Sequence, residues 1–136
     1  KLLRLVEQYR LGNQIRFIDH CKNMPLAYKI SNVVVSASIE PEAFGRISVE
    51  AQSMGKPIIA SNIGGSKETI INKKTGLLYK YDDPRELAKN LNTVIQLSLD
   101  ELKSMGNEGR KNITKKFDVE IMCQSNLKEY KRLIKN

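Results

Sequence analysis

The chain has 136 residues, of which 40% are hydrophobic and 28% are charged, and its net charge at pH 7 is +8. This length and mixture are typical of one globular domain and exclude a disordered or fibrous protein. Because the chain has one histidine, two cysteines and no long apolar run, we exclude a zinc site of paired histidines, a multi-disulfide scaffold and a membrane-spanning helix.

The first half of the chain alternates short helices with short strands. Apolar residues at helical spacing predict a first helix, which Gly12 closes. The β-branched run Val33–Val35 predicts a strand that is buried on both faces. The predicted elements are a helix over 2–11, a strand over 15–18, a helix over 25–30, the strand over 33–35 and, after a loop, a helix that ends at Met54.

The second half adds two strands and then only helices. Gly55 stands where a left-handed residue ends the preceding helix, and Ser66 is predicted to cap a short helix. Asp82 or Asp83, followed by Pro84, marks a further helix start. The predicted elements are a strand over 57–60, a turn over 62–65, a helix over 67–71, a strand over 77–79 and helices over 84–97, 100–115 and 119–134.

This alternation predicts the fold class α/β, with a Rossmann-like parallel sheet and helices on both of its faces. Only four strands are predicted and a helix precedes them, so we expect the N-terminal strands of the sheet to be missing from this chain. We expect residues 1–97 to form this partial Rossmann-like domain and residues 98–136 to add C-terminal helices to it.

Lysine and arginine dominate the charge after Asp100. Three interpretations stay open: solvated helix faces, a patch for a membrane surface or a partner, and a nucleic-acid surface. An aromatic content of 6% and the lack of a nucleic-acid-reading motif argue against the third interpretation.

The candidate site lies in the loops after the strands, because ligands of open α/β sheets bind beyond the carboxyl ends of the strands. Gly45 is predicted at the start of a helix, where the lack of a side chain lets an anion approach unpaired backbone N–H groups. Glu42 precedes that helix, and Glu50 borders its apolar face. A carboxylate at Glu50 needs hydrogen-bond donors, which ribose hydroxyls, Arg46 one turn earlier or a lysine elsewhere would supply.

Two further loops carry candidate residues. Gly64 and Gly65 precede a predicted helix, so they either bring backbone donors close to a phosphate or sugar or form a simple turn. Asp19 and His20 follow a predicted strand, so they either border a nucleobase pocket or are polar surface residues.

Together these loops resemble the C-terminal, nucleotide-sugar-binding domain of a family 4, or group 1, retaining glycosyltransferase with the GT-B fold. One glutamate pair is a weak signal, but several matching segments in the right order are a specific one. The similarity covers residues 1–97, and the remaining helices suit the C-terminal end of that family. The matching segments are 13–18, 24–28, 36–51, 54–61, 64–69 and 75–78.

The resemblance implies one catalytic residue and a binding surface around it. Glu42 would hydrogen-bond hydroxyls of the transferred sugar near its reacting carbon. The backbone N–H groups of Phe44, Gly45 and Arg46 would hold the donor phosphate and sugar, and Glu50 would bind the ribose.

The resemblance also assigns the other two loops to the donor. Asp19 and His20 would contact the base mainly through their backbone, although many relatives have glycine at the position of Asp19. Gly64, Gly65 and Glu68 would line the same pocket. The resemblance implies no metal and no cofactor beyond the nucleotide-sugar substrate.

The implied enzyme moves a sugar from a UDP- or GDP-sugar to a glycan or lipid-linked acceptor, such as lipopolysaccharide, with retention. Its pyrophosphate-neutralising Arg and Lys, its glycine-rich loop and its N-terminal acceptor domain would precede Lys1, so we expect the 136-residue chain alone to be inactive. We expect a cytoplasmic location, with peripheral contact to the inner face of the membrane. The alternatives are a non-catalytic nucleotide-sugar-binding module and a basic nucleic-acid-interaction domain; we expect no nucleic-acid partner.

Overall fold

The computed structural model describes residues 1–134, which form seven α-helices and three β-strands, and each strand lies between two helices along the chain. The predicted α/β fold class is therefore confirmed. In chain order the elements are α1 (Leu2–Gln8), α2 (Met24–Ile30), β1 (Val34–Ser36), α3 (Arg46–Ser53), β2 (Ile58–Ser61), α4 (Ser66–Thr69), β3 (Gly76–Tyr79), α5 (Pro84–Ile95), α6 (Leu99–Lys116) and α7 (Val119–Ile134).

The three strands form one parallel sheet in the order β1-β2-β3. Val35 of β1 pairs with Ile59 of β2, which pairs in turn with Leu77 of β3. All four residues of β2 are buried because β2 is the central strand, whereas Val35 is 40% exposed. The prediction that the Val33–Val35 strand is buried on both faces is thus wrong, because β1 lies at an edge of the sheet.

Side chains that alternate along the strands pack into two apolar cores, one on each face of the sheet. Helices α2, α3 and α5 contribute side chains to these cores, so the prediction of helices on both faces is confirmed. The first core consists of Tyr28, Ala51, Ile58, Ala60 and Ile70, and the second of Ile59, Leu77, Tyr79 and Val94.

Helix α6 packs closely against α3 because two of its residues lack side chains. A Cβ on Gly106 would overlap the carbonyl of Gly55, and a Cβ on Gly109 would lie 3.0 Å from Cγ of Gln52. Asn112 of α6 donates from Nδ2 to the carbonyl of Thr69 at 3.0 Å. Helix α6 therefore packs against α3 and is hydrogen-bonded to α4.

The helix start predicted at Asp82 or Asp83 is confirmed at Asp83, and Asn23 caps a second helix, which the sequence did not indicate. Asn23, which precedes Pro25, accepts a hydrogen bond from the backbone N–H of Leu26. Asp83 directly precedes α5 and accepts from two N–H groups in the first turn of that helix. Ser66 does not cap α4 as predicted: it is the first residue of that helix, and Gly65 occupies the N-cap position without a side-chain cap.

The strand predicted over 15–18 is wrong, since residues 9–23 form no helix or strand. Phe17 and Ile18 are 53% and 79% exposed. An apolar segment becomes a strand only where another strand pairs with its backbone, and in the part of the chain that the structure describes none pairs with this segment. The predicted fourth strand is therefore absent from residues 1–134.

Helices α1 and α7 lie outside the packed region, and neither buries a residue. Their apolar side chains are exposed, for example Leu3 at 65% and Leu133 at 65%. Among residues 1–134, no helix is at once long and apolar enough to cross a membrane.

Candidate functional site

The loop between β1 and α3 packs directly on the loop between β2 and α4. The backbone N–H of Gly65 donates to the carbonyl of Glu42 at 2.8 Å. A Cβ on Gly64, whose φ is +51°, would overlap the backbone of Glu42, and a Cβ on Gly65 would overlap the carbonyl of Phe44. The two glycines are therefore required by the contact between the loops, which brings Glu42 next to the Gly64–Gly65 turn.

Helix α3 begins with backbone donors that have no acceptor in the described part of the chain. Gly45 is its N-cap in a left-handed conformation (φ +71°), and no side chain caps the helix. Among residues 1–134, the backbone N–H groups of Phe44, Gly45 and Arg46 donate no hydrogen bond. A helix N-terminus with free N–H groups attracts anions through these donors and through the helix dipole.

An aromatic contact holds the loop that precedes α3. The ring of Phe44 meets the ring of Phe117, at the C-terminal end of α6, edge-on with centroids 5.7 Å apart. Such pairs contribute about 0.5–1.5 kcal/mol beyond their burial. The loop is thus supported by Gly65 from one side and by Phe117 from another, and sequence reasoning gave no indication of Phe117.

The two glutamates of the motif have different surroundings. Glu42 is exposed, and its Oε1 accepts from the hydroxyl of Ser38 at 2.7 Å. Glu50 is only partly exposed and accepts from Tyr28 Oη at 2.8 Å through Oε2 and from Arg46 Nη2 at 3.2 Å through Oε1. The ion pair with Arg46, one of the alternatives for Glu50, is therefore present.

Tyr28 is the least exposed member of this group, at 4%. Burial, the hydrogen bond to Glu50 and the negative charge of Glu50 together raise the pKa of Tyr28 to about 12, against the opposing charge of Arg46. The phenol therefore keeps its proton, and stays a hydrogen-bond donor to Glu50, far above neutral pH. Tyr28 lies in the matching segment 24–28, but nothing in its local pattern indicates a partner 22 residues away.

The remaining predicted residues are exposed and less constrained. Glu68 lies in α4, and Asp19 and His20 lie in the irregular segment 9–23. The structure thus brings together Glu42, Gly45, Gly64 and Gly65, and Glu50 lies on the helix that Gly45 caps. Among the described residues, no hydrogen bond connects Asp19 or His20 to this group.

The part of the chain that the structure describes holds no group of three or more His, Cys, Asp or Glu side chains placed to bind a metal ion. The charged side chains around the start of α3 include Glu42, Arg46 and Glu50, and the helix N-terminus adds a partial positive charge.

The described residues thus combine a parallel α/β sheet with a helix start that lacks a side-chain cap, and Glu42 and Glu50 lie on either side of that start in sequence. Residues 1–112 match the family model of glycosyl transferases group 1. The chain belongs to this family, as the resemblance predicted, and its structural neighbours confirm the GT-B fold.

Three relatives illustrate the similarity. The capsular polysaccharide biosynthesis glycosyltransferase CapM of Staphylococcus aureus is 30% identical over 119 residues, which are 87% of this chain and 30% of CapM. A glycosyltransferase from Rickettsia africae is 36% identical with a TM-score of 0.90, over 98% of this chain and 35% of that one. Anabaena HepE, crystallised with UDP, is 26% identical with a TM-score of 0.91, over 96% of this chain and 36% of HepE. The chain thus spans about a third of the length of these relatives.

Proposed function

We propose that this chain binds the nucleotide-sugar donor of a glycosyltransferase, which transfers the sugar to a glycan or lipid-linked acceptor with retention. Membership of group 1 supports glycosyl transfer. The complex of HepE with UDP supports a nucleoside diphosphate donor, and the name of CapM supports a polysaccharide-type acceptor. A UDP-sugar is the first donor to test and a GDP-sugar the second.

The observation that carries the proposal is the start of α3. Free N–H groups at Phe44, Gly45 and Arg46 form an anion-binding site that is flanked in sequence by Glu42 and Glu50. A helix dipole contributes about 0.3–1 kcal/mol to binding an anion at an exposed terminus. Such a site suits a diphosphate that is attached on one side to a sugar and on the other to a ribose.

Each carboxylate then has a separate role. Glu42, oriented by the Ser38 hydroxyl, binds hydroxyls of the transferred sugar beside its anomeric carbon and stabilises the positive charge that develops there. The bond from the anomeric carbon to the nucleoside diphosphate breaks and the diphosphate takes the electron pair. The oxygen of the acceptor hydroxyl bonds to that carbon on the same face, and its proton passes to the departing diphosphate. Glu50 accepts hydrogen bonds from the ribose.

The other candidate residues complete the donor pocket. Gly64 and Gly65 keep the two loops in contact, and Glu68 lines the pocket from α4. Asp19 and His20 contact the base through their backbone. In this proposal residues 98–136 belong to the same domain as residues 1–97, and the packing of α6 against α3 supports that assignment. Residues 135–136 lie outside the described part of the chain.

The wider setting is proposed on the same basis. We propose that the protein acts in lipopolysaccharide-type glycan synthesis at the cytoplasmic face of the membrane, through peripheral contact. Since the helix dipole at the start of α3 contributes only about 0.3–1 kcal/mol, we expect the 136-residue chain by itself to bind donor weakly at most and to show no turnover.

The test compares Glu50→Gln and Glu42→Gln in the intact protein that carries these residues. Hydrogen bonds to charged groups are worth about 1.5–3 kcal/mol, so we expect Glu50→Gln to weaken UDP binding by about tenfold or more. We expect Glu42→Gln to lower kcat much more than donor affinity, because its partner is the reacting sugar.

Calorimetric titration with UDP, GDP and ADP measures binding, and transfer from the corresponding glucose donors measures turnover. If the wild-type protein binds none of the three nucleotides, the proposal is wrong. Equal, small effects of both substitutions would instead identify two structural carboxylates.

A further inference from the structure

The carboxylate of Glu50 is held by a tyrosine from a different helix. Tyr28 of α2 donates its hydroxyl proton to Oε2 of Glu50 at 2.8 Å, across 22 residues of sequence. The ring is buried in the apolar core with Ala51 and Ile58. The hydroxyl therefore points from a fixed core position to the partly exposed carboxylate.

The second protein donor to Glu50 is far less rigid. Arg46 reaches Oε1 at 3.2 Å, but its side chain is 84% exposed. Ion pairs of exposed side chains contribute about 0–1 kcal/mol, because solvent competes and two long side chains must be ordered. Of the two donors, only Tyr28 fixes the orientation of the carboxylate.

Helix α2 is itself anchored at both ends, so the tyrosine cannot readily shift. Asn23 caps its N-terminus through the N–H of Leu26. At its C-terminal end, Lys56 donates from Nζ to the carbonyls of Lys29 and Ser31 at 2.9 and 2.8 Å. Lys56 belongs to the turn between α3 and β2, so the anchor ties α2 to the helix that carries Glu50.

We propose that Tyr28 is a positioning residue for the donor, and that through Glu50 it selects nucleotides with an intact ribose 2′,3′-diol. A carboxylate offers about four lone-pair sites. Tyr28 occupies one site on Oε2 and Arg46 occupies one site on Oε1, so about two sites remain for two neighbouring hydroxyls. This inference rests on the proposed role of Glu50 and adds the residue that orients it.

The test is calorimetric titration of the intact protein with UDP and with 2′-deoxy-UDP. Tyr28→Phe removes only the hydroxyl, and we expect it to raise the Kd for UDP by about three- to tenfold. The Kd for 2′-deoxy-UDP should change much less, so that the preference for UDP falls. A merely structural loss would raise both Kd values in parallel.

Tyr79→Phe is the matched control. Tyr79 is also 4% exposed, and its hydroxyl accepts a hydrogen bond from Ser61 in the other core. The Tyr79→Phe variant also loses one buried hydroxyl, but that hydroxyl does not contact Glu50. We therefore expect this variant to keep the wild-type preference for UDP over 2′-deoxy-UDP. The double variant Tyr28→Phe/Glu50→Gln should bind UDP no more weakly than Glu50→Gln, since Tyr28 acts through Glu50.

The outcomes separate the two proposals. If Glu50→Gln lowers the preference for UDP and folded Tyr28→Phe does not, the positioning role is overturned and the role of Glu50 stands. If Glu50→Gln changes neither the Kd for UDP nor the preference for UDP over 2′-deoxy-UDP, the proposed ribose contact is wrong. Should Tyr28→Phe fail to fold, Glu50→Asp keeps the charge but withdraws the carboxylate from the hydroxyl, and a wild-type preference in that variant overturns the inference.

Discussion

The region from α2 to α6 and the segments outside it differ in how their side chains are supported. Inside it, β2 is completely buried, and the loops of the candidate site pack on glycine backbone and on Phe117. Outside it, α1 and α7 bury no residue, and residues 9–23 form no regular element. The comparison shows that the candidate carboxylates stand on a packed framework, whereas Asp19 and His20 do not.

We expect the free energy of local opening to be higher in the region from α2 to α6 than in α1, α7 and residues 9–23. Segments with few buried contacts open at low free-energy cost, while packed elements open only with global unfolding. Substitutions of the same type should therefore have large effects within α2–α6 and small effects outside it.

The largest effect is expected from Gly65→Ala compared with Gly12→Ala. A Cβ on Gly65 would overlap the carbonyl of Phe44, whereas a Cβ on Gly12 has no atom within 4 Å. Forcing an additional methyl group into packed atoms costs about 1–3 kcal/mol, so Gly65→Ala should lower the free energy of unfolding by that amount and weaken UDP binding. Gly12→Ala should stay within about 0.5 kcal/mol of wild type. Denaturant unfolding of both variants measures the difference, and equal effects would remove the distinction between the two regions.

A pH-dependent effect of intermediate size is expected from Tyr28. Its pKa is raised to about 12 by burial and by Glu50, while the unfolded chain loses the same proton near pH 10. Because the native state binds the proton more tightly, the free energy of unfolding falls as the pH rises from 10 to 12, by about 1–2 kcal/mol after screening of the partly exposed Glu50 by solvent. Below pH 10 this contribution is fully present.

The measurement is the difference in unfolding free energy between wild type and Tyr28→Phe from pH 9 to pH 12. The variant should lack the additional slope. Tyr130→Phe removes a hydroxyl from a 63% exposed ring in α7 and should keep the wild-type slope. A wild-type slope in Tyr28→Phe would show that the Tyr28–Glu50 hydrogen bond does not couple to folding.

The sequence predicted those elements whose signals are local. The run that contains Ile58 and Ile59 is a strand, and Pro84 after Asp83 starts a helix, as expected. The segment around Phe17 has the same apolar character but has no paired strand, and a sequence pattern does not report pairing. Apolar pattern is thus necessary for a strand in this chain but not sufficient.

The candidate site was predictable to a similar extent. The positions of Glu42, Gly45 and Glu50 around the start of α3 follow from the family motif. The contacts of Tyr28 with Glu50 and of Phe117 with Phe44 join residues that are far apart in sequence, so only the fold reveals them. The requirement for glycine at Gly64 and Gly65 is also revealed only by the fold, because the backbone that approaches them belongs to another loop.

The smallest effect is expected at the starts of the last two helices. Ser98 and Glu101 form a capping box at the start of α6, and Asp118 accepts from the N–H of Glu120 at the start of α7. Losing an N-cap side chain costs about 1 kcal/mol, so Ser98→Ala should lower the Tm by about 2–6 °C, because α6 supports α3 in the cooperative unit. Asp118→Ala removes a similar contact from a helix that buries nothing, so it should fray α7 locally and leave the Tm unchanged. Calorimetric melting together with amide exchange over residues 119–134 distinguishes the two, and a fall in Tm for Asp118→Ala as large as that for Ser98→Ala would make α7 part of the cooperative unit.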